Sequence, residues 1–94
     1  MLPTPVITSG TRTSVSGSAC AGCTVEVFSD SEDEGRVYEG TAIANPTGNW
    51  TLNSGHAYTG PHLTATATDQ SGNTSEFSVP WVIGGRLYLP LLRR

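Results

Sequence analysis

Cys20-Ala21-Gly22-Cys23 is the first constellation in the chain whose residue types could do chemistry. A Cys-x-x-Cys pair serves as a redox couple, as half of a zinc site, or as a disulfide that closes a turn. A redox couple wants one thiol at a helix N-terminus, where the thiolate is stabilised, and no helical spacing surrounds this pair. Zinc requires four ligands, and the only histidines, His56 and His62, would have to come from a distant loop. A four-residue turn brings its ends within the Cα separation a disulfide tolerates. A structural Cys20–Cys23 bridge therefore fits best, with free thiols or a metal or redox role as the alternatives. So short a closed loop constrains the unfolded chain little, which places the bridge at the low end of the usual ~2–4 kcal/mol.

The stretch Asp30-Ser31-Glu32-Asp33-Glu34-Gly35 sets acids at alternate positions before a glycine, as calcium loops do when they gather hard oxygen ligands around a sharp bend. Asp30, Glu32 and Glu34 are the candidate ligands. The pattern is incomplete, because Thr41 stands where a bidentate Glu would close the site and glutamates occupy positions usually held by shorter side chains. A solvated hairpin tip whose charges deter edge-to-edge association is the favoured reading. No cofactor is expected, calcium being the one candidate.

His56, Tyr58 and His62 flank Gly60-Pro61 in the longest loop, and a histidine among many Ser and Asp residues can be assembled on paper into a catalytic triad. No strained nucleophile turn accompanies it, so these read as loop residues and no catalytic residue is assigned. Loops at the end of a sandwich are nevertheless where such domains meet partners. Tyr38, Tyr58 and Trp81, if exposed together, would make a protein or glycan contact. Asn49-Trp50-Thr51 and Asn73-Thr74-Ser75 match the glycosylation acceptor pattern but are already explained by turn chemistry.

The elements that must position these residues are strands. Leu63, Ala65 and Ala67 alternate with threonines up to Asp69, giving one apolar and one hydroxyl-covered face. Alternation and turn signals predict strands over 6–9, 13–19, 24–29, 36–44, 49–53, 62–68 and 74–82. The breaks between them are Gly10, Ala21-Gly22, the acidic stretch, Asn45-Pro46-Thr47-Gly48, the run from Gly55 to Pro61, and Gln70 to Asn73. Consecutive hairpins imply antiparallel pairing, and no window shows apolar spacing at three and four, so an all-β antiparallel sandwich of about seven strands without substantial helix is expected. Its predicted core is Val6, Val15, Val25, Val27, Ala42, Ala44, Trp50, Leu52, Leu63, Ala65, Ala67, Phe77 and Val79, with Trp50 at the centre.

Ninety-four residues make one domain, here predicted as a sandwich over 1–82 and a Gly-hinged apolar and basic tail over 83–94. A formal charge of −3, with six of the acids (Glu26, Asp30, Glu32, Asp33, Glu34, Glu39) crowded into one stretch, argues against a phosphate-binding surface, so no nucleic-acid partner is expected. No segment is long or apolar enough to span a bilayer. The beginning, Met1-Leu2-Pro3, has no signal-peptide pattern, and the chain reads as a piece of a longer protein whose export signal lies upstream.

Five strings taken together resemble the bacterial Ig-like domains that repeat in secreted and cell-surface proteins. They are Val15-Ser16-Gly17-Ser18-Ala19, Thr24-Val25-Glu26-Val27-Phe28, Gly40-Thr41-Ala42, Gly48-Asn49-Trp50-Thr51-Leu52, and Ala65 to Asp69 followed by Gly72-Asn73-Thr74-Ser75. The resemblance covers about residues 5–82, and the two cysteines and the long acidic hairpin depart from the pattern. It implies an Ig-like fold and an extracellular or cell-surface spacer or adhesion module without catalytic residues, linked to upstream domains and monomeric in isolation. The alternative is a binding module for a cell-surface glycan or protein, using the loop end or an edge strand. The tail Arg86-Leu87-Tyr88-Leu89-Pro90-Leu91-Leu92-Arg93-Arg94 is also similar to the ends of some secreted bacterial proteins, which implies a sorting or anchoring element. From the residues alone it reads as a last strand or a disordered end.

Overall fold

The computed structural model describes residues 2–30 and 37–83. Among these residues seven strands run in chain order: β1 (Val6–Gly10), β2 (Ser14–Ser18), β3 (Thr24–Asp30), β4 (Val37–Ile43), β5 (Asn49–Asn53), β6 (His62–Thr68) and β7 (Trp81–Val82). No described residue is helical. The strands form two antiparallel sheets, one ordered β1-β2-β5 and the other β4-β3-β6-β7. The acidic stretch 31–36, with the calcium candidates Glu32 and Glu34, and the predicted tail from 84 onward lie outside the described residues.

The core lies between the sheets and is built by alternation, since successive side chains of a strand point to opposite faces. Val25 and Val27 of β3 and Leu63, Ala65 and Ala67 of β6 are completely buried, with Val25 opposite Ala67, Val27 opposite Ala65 and Leu63 opposite the buried Ser29. Val15 and Trp50 close the same space from the other sheet, and Leu52 packs half-buried at its margin.

Three residues predicted for the core are exposed instead: Val6 at 54%, Phe77 at 46% and Val79 at 83%. For Val6 the reason is register. Ile7 stands opposite Gly17 on the side of Val15, and Val6, opposite Ser18, faces outward. Gly17 is required there, because a Cβ on it would lie 1.8 Å from the Val6 carbonyl oxygen.

For Phe77 and Val79 the reason is a change of period. The predicted strand over 74–82 is regular only at Trp81–Val82, where Leu63 pairs with Trp81 and His62 with Val82. Upstream, the segment runs along β6 by contacts at every third residue. The Ser75 N–H donates to the Ala67 carbonyl and the Ser78 N–H to the Ala65 carbonyl, each at 2.8 Å. In return the Ala67 and Ala65 N–H groups donate to the hydroxyls of Ser75 (3.0 Å) and Ser78 (2.9 Å). Two serine side chains thus replace strand carbonyls, and the residues between them, Phe77 included, are pushed outward. Pro80 has no N–H to continue a ladder.

The first and last described residues lie at opposite poles, termed the entry and exit poles. Leu2 and Pro3 line a cleft with Asp69, Asn73 and Thr74, beyond the end of β6. Ile83 donates its N–H to the Pro61 carbonyl at 2.7 Å, just before β6 begins. The seven residues of β6 separate these points by about 20 Å.

Candidate functional site

At the entry pole, Cys20 and Cys23 form a disulfide with their Cα atoms 5.4 Å apart. The turn is held independently by the Cys23 N–H on the Cys20 carbonyl (3.1 Å) and the Gly22 N–H on the Ala44 carbonyl (3.0 Å). Beside it, Asp69 accepts the N–H groups of Ser71 and Asn73, both at 2.9 Å. Those bonds, the Asn73 N–H first, hold its carboxyl below the usual carboxylate range. Both features shape loops.

The exit pole contains a group that sequence reasoning missed. A bulge in the β3–β4 pairing sets Phe28 opposite Tyr38 and Val27 opposite Gly40, leaving Glu39 unpaired between them. Its side chain turns beneath the loop of 54–61 and is 3% exposed. Oε2 accepts the Ser29 hydroxyl at 2.6 Å and the Thr59 N–H at 2.8 Å, and Oε1 lies 3.5 Å from His56 Nε2. Burial alone would raise the Glu39 carboxyl, but these hydrogen bonds and the neighbouring imidazole outweigh it and hold it below its ordinary value. The Gly60 N–H donates to Ser29 Oγ at 3.0 Å, and a Cβ on Gly60 would strike the Asp30 carbonyl oxygen at 2.3 Å.

Ser, Glu and His in one cluster invite comparison with a triad, but the order is wrong for nucleophilic catalysis. The carboxylate sits between hydroxyl and imidazole, and Ser29 is fully buried with its proton given to Glu39. The arrangement can pin a loop; it cannot activate a nucleophile.

The remaining sequence candidates do not converge. Tyr58 is buried at 8%, its hydroxyl donating to the Leu52 carbonyl at 3.3 Å, and burial raises its phenol pKa. The loop of 54–61 folds back over the sandwich end and carries Tyr58 into the core, so the tyrosine itself is withdrawn from the surface while Gly55, His56, Ala57 and Thr59 stay exposed. Trp81 is half-buried, packed on the core beside Gly10. Only Tyr38, at 55%, is exposed. Asp30 ends β3 and is buried at 7%, and among the described residues no three His, Cys, Asp or Glu side chains are grouped as metal ligands.

Tyr38 instead belongs to an aromatic row across the outer face of the four-stranded sheet. Phe28 meets Tyr38 edge to face with centroids 5.8 Å apart, and meets Phe77 likewise at 5.4 Å. The Tyr38 hydroxyl is hydrogen-bonded to that of Thr41. The signal in the sequence was Phe28 itself, an aromatic on the polar side of the alternation Thr24, Glu26, Phe28. That Phe77 would join it depended on the three-residue period after β6.

Two antiparallel sheets of three and four strands packed face to face, containing no assembled catalytic group among the described residues, define an Ig-like β-sandwich. A family model described as bacterial Ig domain matches residues 2–80, and the chain belongs to that family, whose members are generally non-catalytic structural modules of bacterial proteins. No curated protein matches it.

Proposed function

We propose that the domain is a non-catalytic spacer in a larger exported bacterial protein, transmitting position and load between its neighbours. The observation that carries this is the placement of residues 2 and 3 at one pole and Ile83 at the other, so that copies or unlike domains joined in series extend end to end. The edges support it. β1 and β4 each carry a register shift, and the Tyr58 hydroxyl occupies the Leu52 carbonyl at the edge of β5. Such devices blunt strand addition and keep neighbouring domains from zipping together. Membership in a family typical of exported or surface proteins agrees with an extracellular setting.

Small-angle scattering of two copies fused in series tests the reading. An elongated particle, about twice the single domain in length, is expected; a side-by-side pair would contradict it.

The aromatic row favours a second reading, in which the domain also binds a partner. In this reading the contact lies on the outer face of the four-stranded sheet, including its edge strand β4, and not on the loop end.

A further inference from the structure

Register fixes which residues share the outer face of the four-stranded sheet, where those of β3 and β4 reach solvent while Thr64 and Thr66 of β6 are buried. One row holds Tyr38, Phe28 and Thr64, the next Thr41, Glu26 and Thr66, and a third Ile43, Thr24 and Thr68. Phe77 lies against Phe28, and Tyr38, Phe77 and Ile43 are 55%, 46% and 69% exposed. The Thr64 hydroxyl beneath the row is buried without a hydrogen-bond partner. Glu26 stands at the centre, and among the described residues no hydrogen bond or ion pair engages its carboxylate. Among the described residues the single arginine, Arg12, lines a cleft with Tyr58 and Ile83 at the exit pole, so it supplies no countercharge here.

Same-face neighbours on one strand lie about 7 Å apart, so a cation over the Phe28 ring is also within reach of the Glu26 carboxylate. Arginine suits that position, because its flat guanidinium stacks on an aromatic ring while donating to a carboxylate. Lysine offers only a point charge. The rings meet at 64° and 85°, which gives ridges for aliphatic side chains and no level platform for a sugar ring.

Resting on the binding reading above, we propose that this face docks an arginine-bearing, apolar peptide segment. The guanidinium sits between Phe28 and Glu26, and the apolar side chains lie on Tyr38, Phe77 and Ile43. A suitable probe is the peptide Arg-Leu-Tyr-Leu-Pro-Leu-Leu-Arg-Arg, the sequence of residues 86–94.

The test is an NMR titration of the full chain carrying Arg86→Gln, Arg93→Gln and Arg94→Gln, so that its own terminus lacks the competing charge. Saturable shifts are expected at Glu26, Phe28, Tyr38 and Phe77. Glu26→Gln in the domain, Phe77→Ala in the domain, or glutamine for arginine in the peptide should each weaken binding about threefold to tenfold. Shifts that survive all three changes undiminished overturn the proposal. Saturation by a neutral oligosaccharide such as cellotetraose, with none by the peptide, overturns the peptide partner and leaves the binding face standing. Absence of saturable shifts with either probe removes both.

Discussion

The Ser29 hydroxyl donates to Oε2 of Glu39 across a 2.6 Å hydrogen bond, joining the end of β3 to a bulged residue of β4 beneath the loop of 54–61. The same carboxylate oxygen accepts the Thr59 N–H, so one side chain ties two strands and a loop together.

Glu39→Ala should therefore destabilise the domain by about 1–3 kcal/mol, since it leaves the buried Ser29 hydroxyl without its acceptor and frees the Thr59 N–H. Urea denaturation measures the loss. A midpoint equal to that of the parent chain would show that the loop holds itself.

Glu39 also sets a pH dependence. Its folded-state pKa is depressed, so the stability it contributes is fully present above its unfolded value of about 4.3 and is lost as pH falls through the folded value. Denaturation midpoints collected downward from pH 5 should fall, and Glu39→Gln should flatten that fall. An unchanged slope in the variant would assign the acid sensitivity to other carboxylates.

Ser75→Ala and Ser78→Ala should each cost about 1–3 kcal/mol, because each strips the acceptor from a buried N–H of β6. Amide hydrogen exchange gives the local readout. Exchange should accelerate at Ala67 in the first variant and at Ala65 in the second, and uniform acceleration along β6 would point to global destabilisation alone.

Those serines also mark where the sequence stops being legible. The strands from 24–29, 49–53 and 62–68 announce themselves by alternation, and the structure places their ends within a residue of those bounds. After Thr74 the partner changes from main chain to side chain, the period becomes three, and a reading based on period two assigns Phe77 and Val79 to the wrong side. Glu39 was hidden for a related reason: a bulge reverses the facing of a residue without altering its composition. Tyr58 was hidden because a loop's path over the core depends on a distant carboxylate.

Trp50→Ala should cost about 3–5 kcal/mol, as the side chain is 2% exposed and sits among Val15, Val25 and other core residues. Its indole Nε1 has no hydrogen-bond partner, so the loss is one of packing, and Trp50→Phe should be markedly milder. Equal costs for the two variants would show that the indole makes a polar contact.

Reducing the Cys20–Cys23 bridge should lower stability by no more than about 2 kcal/mol, since the closed loop is short and its turn keeps separate backbone hydrogen bonds. Calorimetry with and without reductant decides; complete unfolding on reduction would mean that the bridge holds far more than one turn.

The central claim is that the domain carries load between its poles. β1 starts at the entry pole, and its ladder bonds to β2 lie across the direction of pull, so several must shear together. Single-molecule extension between handles at the two ends of the chain measures this directly. A resolved rupture that releases the whole sandwich at once is the predicted result, and gradual lengthening at low force, strand by strand, would contradict the account.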